Sequence, residues 1–345
     1  MSSHCRNVMA DRNLIEKMKN ENVDLAITEP FDMCGYEFFE AISVRAHVAV
    51  YSCSRLDHVT EIIGQPTPLS YVPGAQSAFG EKMNIWERFM NFFQFKGRSY
   101  IFQMIGDADH EAARESHPNL RSWRETLPEA SFIFTNSIPY LDFPAPTFDK
   151  MIPIGGFTVK TDHKSLKLDE KWSRILNERT RNVLISFGTN ARSEEMPIEY
   201  KWIPLAADQS RNSQMLKKHG GAVVLSKFDL ANPVKVSKTI ETVLSDPKYQ
   251  KNADRLAEIL HNQPINATET LIKYIEFAAK FGKLPSLDNQ GRHQSFIQYF
   301  FLDIIAIISL TSLISLYISY RIVNCAFRKC FGTGCSRSES KSKKE

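Results

Sequence analysis

A glycine turn directly after an apolar run is the first feature of the sequence that could bind a ligand. Residues 182–189 read NVLISFGT and end in Gly188 and Thr189. We interpret the run as a buried strand, and ligands of open α/β sheets bind beyond the carboxyl ends of the strands. The pattern therefore favours a phosphate-binding turn at Gly188 and Thr189.

The six cysteines are not spaced for metal binding, because they form no Cys-x-x-Cys pair and no zinc pattern with histidine. We therefore expect no metal site. Cys325, Cys330 and Cys335 recur every five residues beside an apolar segment. They are either free thiols on the cytosolic side or sites of S-palmitoylation next to a membrane.

The composition is typical of globular proteins. The 345 residues are enough for two domains, and 43% of them are hydrophobic and 24% charged. The formal net charge of +4 is too small to indicate nucleic-acid binding. Residues 1–19 contain no continuous apolar core, so the sequence predicts no secretory signal peptide.

An apolar segment near the C-terminus predicts a membrane anchor. Residues 304–320 carry no charge, and together with residues 296–302 they are long enough to span a bilayer as a helix. A basic tail follows, so the positive-inside rule places the C-terminus in the cytosol and the bulk of the chain in the lumen. The alternative is a buried core helix.

Two short signals agree with this topology. Residues 341–345 read KSKKE and resemble the dilysine signal that returns type I membrane proteins to the endoplasmic reticulum; the alternative is a solvated charge run. Asn266 opens Asn-Ala-Thr, the only N-glycosylation sequon, on the predicted lumenal side. We therefore expect a single-pass type I protein of the endoplasmic reticulum membrane with a glycan at Asn266.

The elements that must position these residues begin with a strand, a helix and a second strand. Residues 23–28 and 46–51 are short apolar runs that read as buried strands, and residues 35–43 read as the helix between them. This alternation predicts a parallel sheet. Further strands are predicted over residues 131–135 and 152–157.

An aromatic segment predicts an amphipathic helix in the first half. Residues 83–95 contain Trp86 and several phenylalanines, and they follow a proline-containing loop over residues 65–73. Two interpretations stay open. Either the helix lines a cleft for an acceptor, or most of its aromatic rings pack in the core.

A charged stretch after residue 158 reads as a linker to a second domain. The elements predicted beyond it are a strand over 182–189, a helix over 193–201, a strand ending at a turn of Asp208 and Gln209, a helix, a Gly-Gly turn, a strand over 222–225, and two helices over 235–245 and 249–261.

The chain resembles UDP-glucuronosyltransferases over nearly its whole length, because a series of motifs occurs in the order found in that family. The motifs are ITEPFD (27–32), HVAVYSCSRLDHV (47–59), PTPLSYVP (66–73), IPIGGF (152–157), NVLISFGT (182–189), IPLAADQSRN (203–212), HGGAVVL (219–225) and YFFLDII (299–305). Each motif is modest, and it is their joint order that carries the resemblance.

The resemblance implies an α/β fold of the GT-B type, with two facing Rossmann-like domains, the second truncated, and a C-terminal transmembrane helix. Residues 1–157 would form an N-terminally incomplete acceptor-binding domain, residues 158–181 a linker and the first turn of the second domain, and residues 182–290 an internally deleted UDP-sugar donor domain. Residues 296–322 would form the transmembrane helix and residues 323–345 a basic cytosolic tail.

The resemblance also implies roles for single residues. Glu29 matches the family's acidic partner of the catalytic histidine, usually an aspartate. Asp208 and Gln209 match the Asp-Gln pair that contacts the sugar hydroxyls, and a carboxylate beside an amide can accept from and donate to neighbouring hydroxyls. Gly188 and Thr189 match the turn near the donor phosphates.

Two parts of the family pattern are expected to be missing. The catalytic histidine belongs to an N-terminal loop that we expect to precede residue 1, and His4, His47 and His58 do not lie in its motif. Between Pro197 and Ile203 the family carries a longer segment with a uracil-stacking tryptophan, a phosphate-binding histidine and a ribose-binding glutamate.

The sequence thus predicts a transferase that moves a hexose from UDP-glucuronic acid or UDP-glucose to small lipophilic acceptors, without cofactor or metal. The alternative is a catalytically inactive chain that binds and regulates full-length family members. A lipid- or steroid-binding module, indicated only by residues 83–95, is a third hypothesis. The expected partners are the UDP-sugar, the acceptor, the lipid bilayer and other family members, and not nucleic acid.

Overall fold

The computed structural model describes residues 2–159, 167–180, 182, 208–226 and 229–331. The chain divides into two compact units, Met1–Arg292 and His293–Glu345. Several predicted features lie outside the described residues. They are the Gly188 and Thr189 turn, nearly all of the strand before it, the helix over 193–201, the strand that precedes Asp208, and Cys335 with the rest of the basic tail.

Unit 1 is built on a four-stranded parallel sheet with the strand order β1-β2-β3-β4. The strands are β1 (Leu25–Thr28), β2 (Ala46–Tyr51), β3 (Ile133–Thr135) and β4 (Met151–Pro153). Leu25 pairs with Ala46, and Ile133 pairs with both Ala49 and Met151. The predicted parallel sheet of an α/β fold is thus confirmed, and β2 has the predicted bounds.

Helices connect and cover these strands. They are α1 (Ser2–Ala10), α2 (Arg12–Asn20), α3 (Cys34–Ala41), α4 (Asp57–Ile62), α5 (Ile85–Arg114), α6 (Trp123–Thr126), α7 (Glu170–Asn177), α8 (Gln209–Lys218), α9 (Pro233–Ser245), α10 (Pro247–His261), α11 (Ala267–Phe281), α12 (Phe296–Tyr299) and α13 (Leu302–Phe331). Short 3-10 helices occupy Leu127–Glu129, Asp229–Ala231, Pro285–Leu287 and Gln290–His293. The predicted helices around residues 35–43, 235–245 and 249–261 are present as α3, α9 and α10.

Both faces of the sheet are covered, as the side-chain alternation of a strand requires. On one face, Ala49 and Ile133 pack with Trp123 and other residues from α3, α4 and α6. On the other face, Val48 and Phe134 join a cluster with side chains of α11. The second cover therefore comes from a helix that lies more than a hundred residues further along the chain.

A disulfide bond between Cys5 and Cys34 joins α1 to the start of α3. Met9 and Ile15 pack in the same apolar cluster, so the two N-terminal helices are attached to the domain by both a covalent bond and burial. The sequence analysis did not foresee this pair, because cysteine spacing does not determine pairing.

Helix α5 runs to Arg114 and is much longer than the predicted segment 83–95. It begins with a capping box, in which Asn84 accepts from the Glu87 N–H and Glu87 accepts from the Asn84 N–H. Gly97, inside the helix, does not end it, because a helical glycine costs only about 1 kcal/mol. The core-packing interpretation of the aromatic rings is wrong for most of them, since only Phe95 of the predicted segment's aromatics is buried.

The predicted strand over residues 222–225 is also wrong. These residues follow the turn at Gly220 but form no strand in the structure. A strand exists only where a neighbouring strand accepts and donates its backbone hydrogen bonds. Among the described residues, no strand lies beside this segment.

Unit 2 contains one long apolar helix. Leu302–Cys330 is a 29-residue helical stretch that contains an 18-residue window with a mean hydropathy of 2.0, so its length and composition suffice to cross a membrane. The preceding helix α12 ends before Phe301, whose positive φ of 56° separates it from α13. The predicted anchor is therefore present as a helix, with a break at residues 300 and 301.

Two glycines in α5 offer a matched test of this packing. A Cβ atom at Gly106 would lie 2.7 Å from atoms of both Met33 and Trp123, whereas a Cβ at Gly97 would meet nothing within 4 Å. We expect Gly106→Ala to lower the free energy of unfolding by about 1–3 kcal/mol through overpacking. We expect Gly97→Ala to raise it by about 0.5–1 kcal/mol through helix propensity.

Denaturant unfolding of the full chain in detergent, followed by circular dichroism, measures both effects. Because the two substitutions share the same helix and the same propensity change, their difference isolates the contact with Trp123. Equal effects of the two alanines would contradict the described packing of α5.

Candidate functional site

Two neighbouring cavities at the carboxyl edge of the sheet form what we call the carboxyl-edge cleft. One has a volume of about 310 Å³ and the other about 220 Å³, and Arg55 lines both. Their walls come from residues that follow β1, β2 and β3 and from β4 itself, together with α4, α5 and α8. Small-molecule sites commonly occupy about 300–1,000 Å³, and in open α/β sheets they lie at this edge.

Glu29, the predicted acidic residue, lies at this edge directly after β1. Its Oε1 accepts a hydrogen bond of 2.7 Å from the backbone N–H of Ser52, which follows β2. The side-chain amide of Asn136, which follows β3, donates to the Ser52 carbonyl at 2.9 Å. These bonds tie the ends of three strands together and fix the Glu29 carboxylate in place.

Asp208 lies at the start of α8 and lines the smaller cavity. Its Oδ2 accepts from the Asn212 side-chain amide at 2.9 Å, a contact one helical turn away. Gln209 is the first residue of α8 and is half-buried. The structure therefore places the Asp-Gln pair at the N-terminus of α8, beside the sheet edge.

Glu29 and Asp208 both lie near Cys53, which lines the smaller cavity together with Asp208. Burial, with smaller contributions from the carboxylates of Asp208 and Glu29, raises the pKa of the Cys53 thiol to about 11. The thiol donates to the Arg55 carbonyl at 3.1 Å and stays protonated at neutral pH. Two residues predicted from distant motifs thus lie in the same part of the cleft.

Arg211 holds α8 in this position. Its guanidinium is buried, and Nη2 lies 2.6 Å from Oδ1 of Asp142. Nη1 donates to the Ser54 hydroxyl at 2.9 Å, and the guanidinium also lies over the Phe143 ring. A buried ion pair with such geometry fixes orientation, so Asp208, one turn before Arg211, is aimed at the cleft.

A second buried pair of charged side chains, Arg55 and Asp57, also lines the smaller cavity. The Asp57 carboxylate accepts two bonds from the Ala75 N–H, at 3.0 and 3.1 Å, and lies 3.4 Å from Nε of Arg55. Burial raises the pKa of Asp57, and the positive charge of Arg55 opposes this shift. Arg55 and Asp57 thus give the smaller cavity a charged part of its wall.

His58 also lines the smaller cavity, although the sequence analysis assigned it no role. Its Nε2 donates to the Pro30 carbonyl at 2.8 Å, and its ring stacks on Phe102 with centroids 4.8 Å apart. Burial lowers the pKa of His58 to about 4, so the ring is neutral at pH 7. Its position just after β2, at the carboxyl end of a strand, is the sequence signal that could have located it.

The other predicted residues are not brought into the cleft. His47 lies inside β2, and burial lowers its pKa to about 4. His4 is part of α1. Within the described residues, no group of three His, Cys, Asp or Glu side chains could hold a metal ion.

With this geometry described, comparisons with known proteins identify the family. The family model described as "UDP-glucoronosyl and UDP-glucosyl transferase" matches residues 1–200 and 193–337. The chain belongs to this family. It is therefore a glycosyltransferase by family, as predicted from the ordered motifs, and the family's names refer to the transfer of sugars from UDP-sugars.

Similarity to individual family members is low but extends over most of the chain. A putative UDP-glucuronosyltransferase, ugt-48, of Caenorhabditis elegans is 21% identical over 387 residues, which cover 87% of this chain and 72% of the relative. UDP-glucuronosyltransferase 1A8 of Rattus norvegicus is 22% identical over 405 residues, which cover 96% of this chain and 74% of the relative. The human protein of that name is 21% identical over 402 residues. No solved structure matches.

The family match has a break within the chain. The two matched segments overlap at residues 193–200. The aligned length of 405 residues for the rat relative also exceeds the 345 residues of this chain, so the relative carries residues within the aligned region that have no counterpart here. The break in the family match falls next to the interval between Pro197 and Ile203.

The buried imidazole of His58 predicts a pH dependence of stability. Its pKa of about 4 lies below the ordinary 6.5, so the unfolded chain binds this proton first as the pH falls. The stabilisation is complete above about pH 6.5 and is lost as the pH falls towards 4. We expect a loss of about 2 kcal/mol from this group between pH 7.5 and pH 5.

Denaturant unfolding at the two pH values measures the loss. In the His58→Gln variant, whose amide can still donate to Pro30, the loss should be smaller by about 2 kcal/mol. The remaining dependence includes His47, which carries a similar shift. An identical pH dependence in the variant and the unchanged chain would show that His58 is not held neutral.

Proposed function

We propose that this chain is a membrane-anchored glycosyltransferase that carries a hexose from UDP-glucuronic acid or UDP-glucose to small lipophilic acceptors in the carboxyl-edge cleft. The observation that supports this most is that Asp208 lines the smaller cavity beside Ser52, whose backbone N–H holds the Glu29 carboxylate. One residue follows a strand of the proposed acceptor domain, 1–157, and the other belongs to the proposed donor domain, 182–290. A GT-B enzyme needs such a meeting of its two halves.

In this proposal each carboxylate has a separate task. Asp208 and the neighbouring Gln209 accept from and donate to sugar hydroxyls. Glu29, held by the Ser52 N–H, is placed to orient the imidazole of a histidine that takes the acceptor proton, and no histidine of this chain is assigned that role. Among the described residues of the cleft, His58 is too weak a base for that step at neutral pH, because its pKa is about 4.

We further propose that unit 1 lies in the lumen of the endoplasmic reticulum and that the C-terminus is cytosolic. The apolar helix α13 supports a single membrane crossing. The Cys5–Cys34 disulfide supports an oxidising compartment for the N-terminal part, because disulfides persist in the lumen and are rare in the cytosol.

A binding measurement tests the donor site. Calorimetry of the full chain in detergent should show saturable binding of UDP-glucuronic acid or UDP-glucose. In Asp208→Asn the dissociation constant should rise by roughly tenfold or more, since a hydrogen bond to a charged group contributes about 1.5–3 kcal/mol. Asp254→Asn is the control, because Asp254 lies on α10, accepts a hydrogen bond from the Gln250 side chain and lines neither cavity of the cleft.

Transfer of radiolabelled sugar to a mixture of lipophilic phenols and alcohols then tests catalysis. Binding that is equal in Asp208→Asn and the unchanged chain would contradict the proposed donor site. Binding without transfer would contradict the proposed catalysis and favour the second candidate function.

That second candidate is a regulatory partner of full-length family members. The observation that favours it is the break in the family match near residues 193–200. A chain that keeps the anchor and the acceptor side could occupy the place of a full-length protomer in an oligomer. Co-expression with a full-length relative, followed by co-precipitation and an activity assay of the relative, measures this role, and a lack of association would rule it out.

Glycosylation of Asn266 tests the proposed topology. Asn266 is exposed at the start of α11, and its Oδ1 accepts from the backbone N–H groups of Thr268 and Glu269 at 3.0 and 3.2 Å. The Nδ2 atom, to which an N-linked glycan is attached in a glycosylated asparagine, is not part of these two bonds. We expect the chain expressed in cells with active lumenal glycosylation to lose mass when treated with peptide N-glycosidase. The substitution Asn266→Gln should abolish this mass change.

Asn262→Gln is the matched control, since Asn262 lies outside the sequon and should leave the mass change intact. A chain that carries no glycan in cells with active lumenal glycosylation would contradict the lumenal position of unit 1.

A further inference from the structure

The N-terminal half of α5 presents an aromatic surface to solvent, which we call the α5 stripe. Ile85, Trp86 and Tyr100 are 80%, 64% and 66% exposed. The stripe consists of the exposed large apolar residues of this half-helix: Ile85, Trp86, Phe89, Phe92, Phe93, Tyr100, Ile101 and Met104. Their spacing of three and four residues places most of them along one side of the helix.

The rings of the stripe touch one another. Trp86 stacks on Phe89 with centroids 5.3 Å apart, and Phe89 lies 4.4 Å from Phe93. At 1.5 Å per residue, the stripe from residue 85 to residue 104 is about 28 Å long. A contiguous exposed apolar surface of this kind marks an interaction site in a folded protein.

The buried side of α5 is mixed in polarity. It contains Asn91, Ser99 and Asp109 as well as Phe95, Gly106, Ala112 and Ala113, while most aromatic rings of the N-terminal half face outward. Asn91 makes three hydrogen bonds, donating to the carbonyls of Leu69 and Val72 and accepting from the Gly74 N–H. The helix is therefore fixed by its opposite side, and core formation does not explain the outward aromatic residues.

The charges on the exposed side have one sign. Arg88 and Lys96 lie among the aromatic residues, and none of the exposed residues between 85 and 104 is acidic. Lys82 is also exposed just before the helix. Aromatic and aliphatic residues flanked by Lys and Arg are the pattern of helices that lie in a membrane interface.

The C-terminal end of unit 1 lies beside α5. Asn289 donates to the Gly64 carbonyl at 2.6 Å, just after α4. Glu61 of α4 in turn accepts from Gln103 at 3.3 Å and also bonds Lys96 and Ser99 of α5. Unit 1 therefore ends next to the α4–α5 pair.

The apolar helix α13 starts soon after this end of unit 1. Nine residues, 293–301, join Arg292 to Leu302, and nine residues reach at most about 30 Å when fully extended. If α13 crosses a bilayer, the membrane surface stays within this distance of the end of unit 1. A lipid surface is thus the partner held at high local concentration beside α5.

We propose that the α5 stripe lies in the lipid headgroup region of the membrane that α13 crosses, with Trp86 and the phenylalanines inserted and Lys82 and Arg88 bound to anionic headgroups. This inference rests on the membrane anchor in the proposed function. The stripe would hold the carboxyl-edge cleft, whose wall includes Arg98 and Phe102 of the same helix, close to a membrane in which lipophilic compounds dissolve.

Fluorescence quenching by lipid tests the proposal. The full chain is reconstituted into phosphatidylcholine and phosphatidylserine vesicles that contain a lipid brominated in its acyl chain, and its tryptophan emission is recorded. We expect partial quenching, and we expect Trp86→Phe to reduce the quenched fraction more than twofold. The matched control is Trp172→Phe, because Trp172 is 52% exposed on α7, away from the stripe.

Three outcomes overturn the proposal. Equal quenching in Trp86→Phe and the unchanged chain would leave Trp86 in water. Quenching that appears only after dilution of the protein in excess lipid would show that a second copy of the chain covers the stripe. A chain that does not float with vesicles in a density gradient would contradict the anchor itself, whereas a floating chain with an unquenched Trp86 would contradict the stripe alone.

Discussion

The structure depends on the cover of the sheet face formed by Val48, Phe132 and Phe134. This face would be exposed to water without α11, which places Tyr274 against Phe132 with ring centroids 4.8 Å apart. Buried apolar area contributes roughly 25 cal/mol per Å², and a parallel sheet needs such cover on both faces. The C-terminal part of unit 1 is therefore a structural component of the sheet domain.

This constraint explains how the chain can accommodate a break in the family pattern. The cost of closing a loop grows only slowly with its length, by about 0.6 kcal/mol for each doubling. Residues of the relatives that have no counterpart here can thus be absent while α8 and α11 keep their contacts with the sheet domain. Arg211 secures the first of these helices through Asp142, and Ser131 secures the end of the second by donating to the Gly282 carbonyl at 2.9 Å.

Sequence patterns predicted the local elements better than the tertiary contacts. The apolar run of β2 and the helical periodicity of α9 and α10 are local properties, and they were located almost to the residue. The strand prediction for residues 222–225 is wrong because a strand needs a partner. The core-packing interpretation of the aromatic rings of α5 is wrong because the opposite side of the helix, which includes Asn91 and Ser99, is the buried one. The family motifs singled out Glu29 and Asp208, but only the packing of α8 shows that both approach Cys53.

The remaining helices of the proposed donor half depend on the same two attachments. Helices α9 and α10 contain no buried residue in the part of the chain that the structure describes. Helices of 13 and 15 residues are marginal by themselves, so their position is set by their neighbours. Asn252 of α10 donates to the Gly220 carbonyl at 3.1 Å, which links α10 to the end of α8. Asp208 lies at the other end of α8, beside the Arg211 anchor. Within α8, α9 and α10, the best-fixed part is thus the part that would contact the sugar.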